Sequence, residues 1–278
     1  MTRSQAPLLI CVDFGSTFTK AALVDVSAGV LLATAQHPTT SATDLLDGYN
    51  ACRDELLEQH PAARDAGTLA CSSAGGGLRI AVVGTEELVS AEAGRRVALS
   101  SGGKVVTVLA GGLDATRLAE LEAAEPDVLL LVGGTNGGNP ETLLHDASVL
   151  AAASWSGPVV VAGDVDAQAR VASLLEAAAT PFTVTDNVVP RIGVLAPEAA
   201  RLAIREIFLT HVIGGKNLSA RPEFTAMVLG ATPDVVLVGV ELLAQAQGST
   251  TPGTGVVVVD VGGATTDVHS VVVLDPEE

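Results

Sequence analysis

Aromatic side chains are scarce in this chain: one Trp, one Tyr and five Phe make up 3% of 278 residues. A core must therefore be built from Ala, Val, Leu and Gly in thin aliphatic layers, which suits parallel sheets covered by helices. Cations are scarce as well, with 15 Lys and Arg against 32 Asp and Glu, for a formal charge of −17. Like charges repel over a Debye length of about 8–10 Å, which argues against nucleic acid or an anionic membrane surface as partner. Any bound nucleotide must have its charge met by backbone N–H groups, Mg²⁺ and very few local cations. The three cysteines, Cys11, Cys52 and Cys71, contain no C-x-x-C pair and no metal-ligand spacing, and they read as buried thiols in a reducing compartment. His37, His60, His145, His211 and His269 show no ligand spacing either, so a His-based metal site is not expected. The first apolar run is broken at Asp13, leaving neither a signal peptide nor a membrane span, and a cytoplasmic protein is expected. Low-complexity tracts and short-period repeats are absent.

What is present is ample hydrophobic content, 48%, and length enough for two domains at roughly 100–200 residues each. Residues 8–13 (LLICVD), 19–26 and 30–36 read as three strands joined by tight turns. A chain of βαβ units places a helix after its first strand, so this opening is not that of a dinucleotide-binding fold. Residues 43–59 carry helical spacing, 68–72 and 78–83 read as strands, and 86–99 as a helix. From 104 onward strand and helix alternate to 178, predicting a parallel sheet. Helices are predicted over 197–211 and 233–245, a loop over 247–255, and a strand–turn–strand unit over 256–274. The fold class is α/β, with expected divisions of 1–66 for the first phosphate-loop part, 67–195 for an α/β region with Gly-rich loops, 196–254 for a helical connection and 255–278 for the start of a second lobe.

The opening hairpin turns through Asp13-Phe14-Gly15-Ser16-Thr17-Phe18-Thr19-Lys20. Gly15 permits close backbone approach, Ser16 and Thr17 offer N–H and hydroxyl donors to phosphate, and Lys20 is the nearby cation. Asp13, ending a buried strand, is placed to hold Mg²⁺ through water. Alone, this is equally an ordinary hairpin turn. The plan recurs at Asp260-Val261-Gly262-Gly263-Ala264-Thr265-Thr266-Asp267, where an acid again closes an apolar strand before glycines and hydroxyls. Two such hairpins facing each other would clamp a metal-bound polyphosphate, with Asp13 and Asp260 organising Mg²⁺ and Gly262, Gly263, Ala264 and Thr265 on the phosphates. Thr265 and Thr266 are placed to position the γ-phosphate or its attacking water, beside Asp13 in a catalytic role.

VDFGSTFTKAALV resembles the phosphate-1 motif, and VVDVGGATTDVHSV the phosphate-2 motif, of the actin, Hsp70 and sugar-kinase ATPase superfamily. That resemblance implies a ribonuclease H-like ATPase lobe opening with three antiparallel strands, here with a parallel α/β insertion. A narrower resemblance runs through DFGSTFTK, AQHPTTSATD, ACSSAGGGLRIAVVG, LLLVGGTNGGN, GKNLS, ATPDVVLVGVELL and VDVGGATTDVHS to the MutL/GlmL proteins. Those proteins are accessory to adenosylcobalamin-dependent glutamate (methylaspartate) and related amino-acid mutases. The implied function is that of an ATP-binding, chaperone-like reactivating factor that uses ATP and Mg²⁺ to exchange damaged corrinoid on a partner mutase. The superfamily places its adenosine loop and most of its second lobe after phosphate-2, so a chain ending at Glu278 is expected to be cut short. Two other readings of the same fold are a small-molecule kinase, which needs a general-base Asp that no residue declares, and a non-catalytic actin-like scaffold.

Weaker signals read as structural. Residues 133–139 (GGTNGGN) follow a strand and open a helix, which could receive an anion, but precede phosphate-2 and read better as a tight turn or a family-specific surface, with Asn139 capping. Residues 72–77 (SSAGGG) read likewise. Asp234 and Glu241 are expected on a solvated helix face, and His269 in a structural or surface role.

Overall fold

The computed structural model describes residues 8–215, 218–248, 251–263 and 265–273. The chain divides into two compact units, Met1–Gly76 with Val212–Glu278, and Gly77–His211.

The first unit opens with β1 (Leu8–Phe14), β2 (Phe18–Asp25) and β3 (Val30–Pro38), an antiparallel meander. Alternation puts Ile10, Val12 and Phe14 on the buried face, with Cys11 and Asp13 on the opposite one. Helix α1 (Leu45–Gln59) covers the buried face with Leu45, Leu46, Tyr49, Cys52 and Leu56, and the carboxylate of Asp44 caps it by accepting from Leu46 N–H at 2.9 Å. β4 (Gly67–Ser72) then runs parallel to β1.

The second unit follows as β5 (Arg79–Gly84), α2 (Glu92–Ser100), β6 (Lys104–Ala110), α3 (Ala115–Ala123), β7 (Val128–Leu131), α4 (Glu141–Ala152), β8 (Val159–Val161), α5 (Val165–Ala177), β9 (Phe182–Val184) and α6 (Glu198–Ile207). Its five strands are all parallel, in the order β6-β5-β7-β8-β9. That is the doubly wound, flavodoxin-like arrangement. β7 and β8 are uniformly apolar because both faces are covered. A π-helical turn at Glu87–Ala91 leads into α2, and another at Phe208–Ile213 follows α6.

The chain returns to the first unit through α7 (Pro222–Met227) and β10 (Val228–Ala231), which adds to the first sheet parallel to β4. The order is then β3-β2-β1-β4-β10, a ribonuclease H-like sheet with three antiparallel strands followed by two parallel ones. Helix α8 (Thr232–Gln247) leads to the ribbon of β11 (Gly255–Val261) and β12 (Thr266–Val272), which packs on it by one face. The other face carries Val257, Val259, Val261, Val268 and Val272, all exposed.

β9, β10 and α7 were not expected, and two of the three thiols depart from expectation. Cys52 is buried, but Cys71 is half-buried and Cys11 is exposed because its strand parity sends it to the uncovered sheet face. Among the described residues no helix is long and apolar enough to cross a membrane.

Candidate functional site

Asp13 sits on the uncovered face of β1, directly across from Lys20 on β2, whose Nζ lies 3.7 Å from Asp13 Oδ2. Between them the chain closes a turn in which Gly15 N–H donates to Phe18 O at 3.1 Å. A Cβ on Gly15 would lie 2.7 Å from that same oxygen, so the turn requires glycine for room. Thr39, just past β3, fixes the turn from behind: its N–H donates to Thr17 O at 2.9 Å and its hydroxyl to Gly15 O at 2.7 Å. With those carbonyls drawn back, the N–H groups of Ser16 and Thr17 donate to no described residue and are open to an anion. The end of β1 is held too, by Ser73 N–H and Ala74 N–H donating to Phe14 O at 2.9 and 3.0 Å. The amides after β4 thus support the first loop.

The second hairpin repeats this construction. Gly262 N–H donates to Thr265 O at 2.9 Å, and Asp260 and Asp267 stand opposite each other as Asp13 and Lys20 do. The hydroxyl of Thr265 donates to Asp267 Oδ2 at 3.1 Å. Thr266 shares the exposed ribbon face with Val268, whereas Asp260 and Asp267 lie on the other, half-buried face. Ala264 lies outside the described residues. A Cβ on Gly263 would lie 2.5 Å from Thr17 Oγ1 and 2.8 Å from Thr17 Cβ, so the two turns touch at a point where only glycine fits.

Three residues that motif reading missed complete the site. Thr39 is one, Asp267 is another, and the third is Thr232, whose hydroxyl donates to Asp13 Oδ1 at 2.8 Å from the start of α8. The spacing of the second hairpin could have found Asp267; the other two are brought in by the sheet. Cys71 Sγ lies 3.7 Å from Asp13 Oδ1, and burial, then the charge of Asp13, push its thiol up to about 12. It stays protonated and weakly nucleophilic. An open trough of 760 Å³ lies beside Asp13, lined by Cys11, Lys20, Thr34, Gln36 and Cys71. The donor set is hard oxygen, as Mg²⁺ prefers, yet among the described residues no three His, Cys, Asp or Glu groups stand close enough to cage a metal. A Mg²⁺ ion held here would draw the rest of its shell from phosphate and water, its usual division.

The MutL protein family matches residues 9–278. This chain belongs to that family. Protein MutL of Clostridium tetanomorphum is 36% identical over 271 residues, covering 97% of this chain and 59% of that protein. The chain therefore spans about three-fifths of the length of its curated MutL relative. Among solved structures, nucleotide-free acetone carboxylase, described in a study of ATP-dependent acetone carboxylation, aligns at a TM-score of 0.41 and 15% identity over 96% of this chain and 44% of that one.

Elsewhere in the chain, three amides of the 133–139 loop are engaged internally: Asn136 N–H donates to Pro190 O at 3.2 Å, Gly137 N–H to Asp164 Oδ1 at 3.2 Å and Gly138 N–H to Thr135 O at 2.9 Å. Asn139 Oδ1 accepts from Glu141 N–H at 2.9 Å and so caps α4. Asp234 is 1% exposed in the first turn of α8, not on a solvated face as its helical spacing suggested; Glu241 is half-buried.

Proposed function

We propose that this chain is the nucleotide-binding part of a Mg²⁺-dependent ATPase. It would serve an adenosylcobalamin-dependent amino-acid mutase, such as glutamate mutase, as a cytoplasmic, chaperone-like reactivating factor. The observation that supports this most is the contact between Thr17 and Gly263, which brings together two turns closed by the same hydrogen bond. In this reading the free N–H groups of Ser16 and Thr17, together with the second turn from Gly262 to Thr265, hold phosphate oxygens. Lys20 offsets charge in a strongly acidic chain. Asp13 and Asp260 orient the water shell of Mg²⁺, which when bound neutralises charge on the transferring group. Thr265, with its hydroxyl aimed at Asp267, positions the attacking water from the second loop, while Thr266, on the opposite face of the ribbon, takes no part in that step. The mutase as partner rests on family membership alone.

The test is ATP hydrolysis by the full-length protein with and without a glutamate mutase loaded with inactivated corrinoid. Expected are turnover stimulated by the mutase, release of the damaged corrinoid, and a loss of roughly 10–100-fold in Asp13→Ala, the size usual for a group acting on a metal through its outer shell. Phosphate transfer to a metabolite, indifferent to the mutase, would favour a kinase instead.

A further inference from the structure

Asp13 is not a free carboxylate. Its Oδ1 accepts from the Thr232 hydroxyl at 2.8 Å, while Oδ2 faces Lys20 at 3.7 Å. Thr232 is 9% exposed, so water cannot readily replace that hydroxyl. It is also the first residue of α8, followed by Pro233, and α8 is the element on which β11 and β12 pack. One hydrogen bond thus runs from the carboxylate beneath the first turn to the root of the helix that carries the second.

We infer that Thr232 is a positioning residue: by holding Asp13 Oδ1 it presents Oδ2 alone to a cation and ties the first phosphate loop to α8, so that the state of Asp13 sets how firmly α8 and the second hairpin are held. This rests on the nucleotide-binding reading for its use, though the tie itself does not need a nucleotide. Two alternatives are weaker on physical grounds. A plain helix cap would have the Thr232 oxygen accept from an N–H two or three residues on, yet that hydroxyl donates to a carboxylate from a distant strand. A plain packing role would be served equally by valine, which is isosteric with threonine but leaves Asp13 Oδ1 only the weak Cys71 thiol donor at 3.7 Å.

The experiment compares Thr232→Val, Thr232→Ser, Asp13→Ala and the Asp13→Ala/Thr232→Val double variant with the parent in the full chain. Amide hydrogen exchange over residues 232–247 is measured without nucleotide, and ADP affinity is measured with and without Mg²⁺. Loss of one buried hydrogen bond corresponds to roughly fivefold faster opening of the first turn of α8. That increase is expected in Thr232→Val and in Asp13→Ala, no further increase in the double variant, and parental exchange in Thr232→Ser. The gain in ADP affinity conferred by Mg²⁺ falls in Thr232→Val and is parental in Thr232→Ser. Parental exchange in Thr232→Val, or equal losses in Val and Ser, overturns the inference. Should Thr232→Val fail to fold, Asp13→Ala alone carries the exchange test, since it removes the same bond from its other end. Absence of ADP binding by the parent, with the exchange pattern as stated, sinks the nucleotide reading and leaves the tie standing.

Discussion

At the scale of single residues, the glycines of the two turns do different work. A Cβ at Gly15 meets a backbone oxygen of its own turn, Phe18 O, at 2.7 Å, whereas at Gly262 the equivalent contact, with Thr265 O, is 3.2 Å. A backbone oxygen bound into a strand cannot move aside as a flexible side-chain end can. Gly15→Ala is therefore expected to lower stability by about 1–3 kcal/mol, in the range of overpacking, and Gly262→Ala by clearly less. At Gly263 the clash is with Thr17 of the other hairpin, so Gly263→Ala should leave the melting temperature nearly unchanged while weakening nucleotide binding several-fold. Thermal unfolding beside nucleotide titration of the three variants separates the cases. If Gly263→Ala binds nucleotide as the parent does, contact between the turns is not what holds the nucleotide.

At the scale of elements, the least comfortable group is Asp146 on α4. Its side chain is fully buried, Oδ1 accepts from Leu113 N–H at 2.6 Å, and Oδ2 has no partner among the described residues. Burial raises its pKa above the ordinary carboxylate value, against the pull of the Leu113 N–H and of the His145 and Arg117 charges. A raised folded-state pKa means that the unfolded chain ionises first, so the group's contribution is fully favourable below the ordinary value of 3.8 and is lost as pH rises through the folded pKa. Asp146→Asn keeps the acceptor for Leu113 and cannot ionise. Its melting temperature should exceed the parent's at neutral pH, with the margin shrinking toward pH 4; a margin that is constant or grows on acidification refutes this.

The same scale shows what could be read in advance. Strands β5 to β8 and helices α3 to α5 were legible because long apolar runs and helical spacing alternate there without interruption. β9 and β10 were not, being three and four residues long and defined by their neighbours in the sheet rather than by a pattern of their own. The π-helical turns at Glu87–Ala91 and Phe208–Ile213 carry helical composition and merged into the adjoining helices. In the candidate site, the places of Asp13, Gly15, Asp260 and Gly262 were legible because one spacing occurs twice. Thr39 and Thr232 were not, because each reaches the first turn from another element and no local spacing announces it.

At the scale of the whole molecule, β4 and β10 are adjacent parallel strands, and a parallel pair needs only a crossover of a dozen or so residues. All of Gly77–His211 lies within that one connection. The inserted unit has its own closed set of five strands and five helices, and a core running from Ala81 and Val83 through Leu129 and Leu150 to Val171 and Leu175. Its size falls within the range of about 50–250 residues in which a single domain holds itself together. Every strand pairing of its sheet is satisfied by its own residues, so nothing in the sheet waits for the rest of the chain. Residues 77–211 produced alone are accordingly expected to unfold in one cooperative thermal transition, with a far-ultraviolet spectrum of mixed helix and strand. A broad, non-cooperative melt would mean that the inserted sheet depends on the ribonuclease H-like unit, and that the two fold as one body.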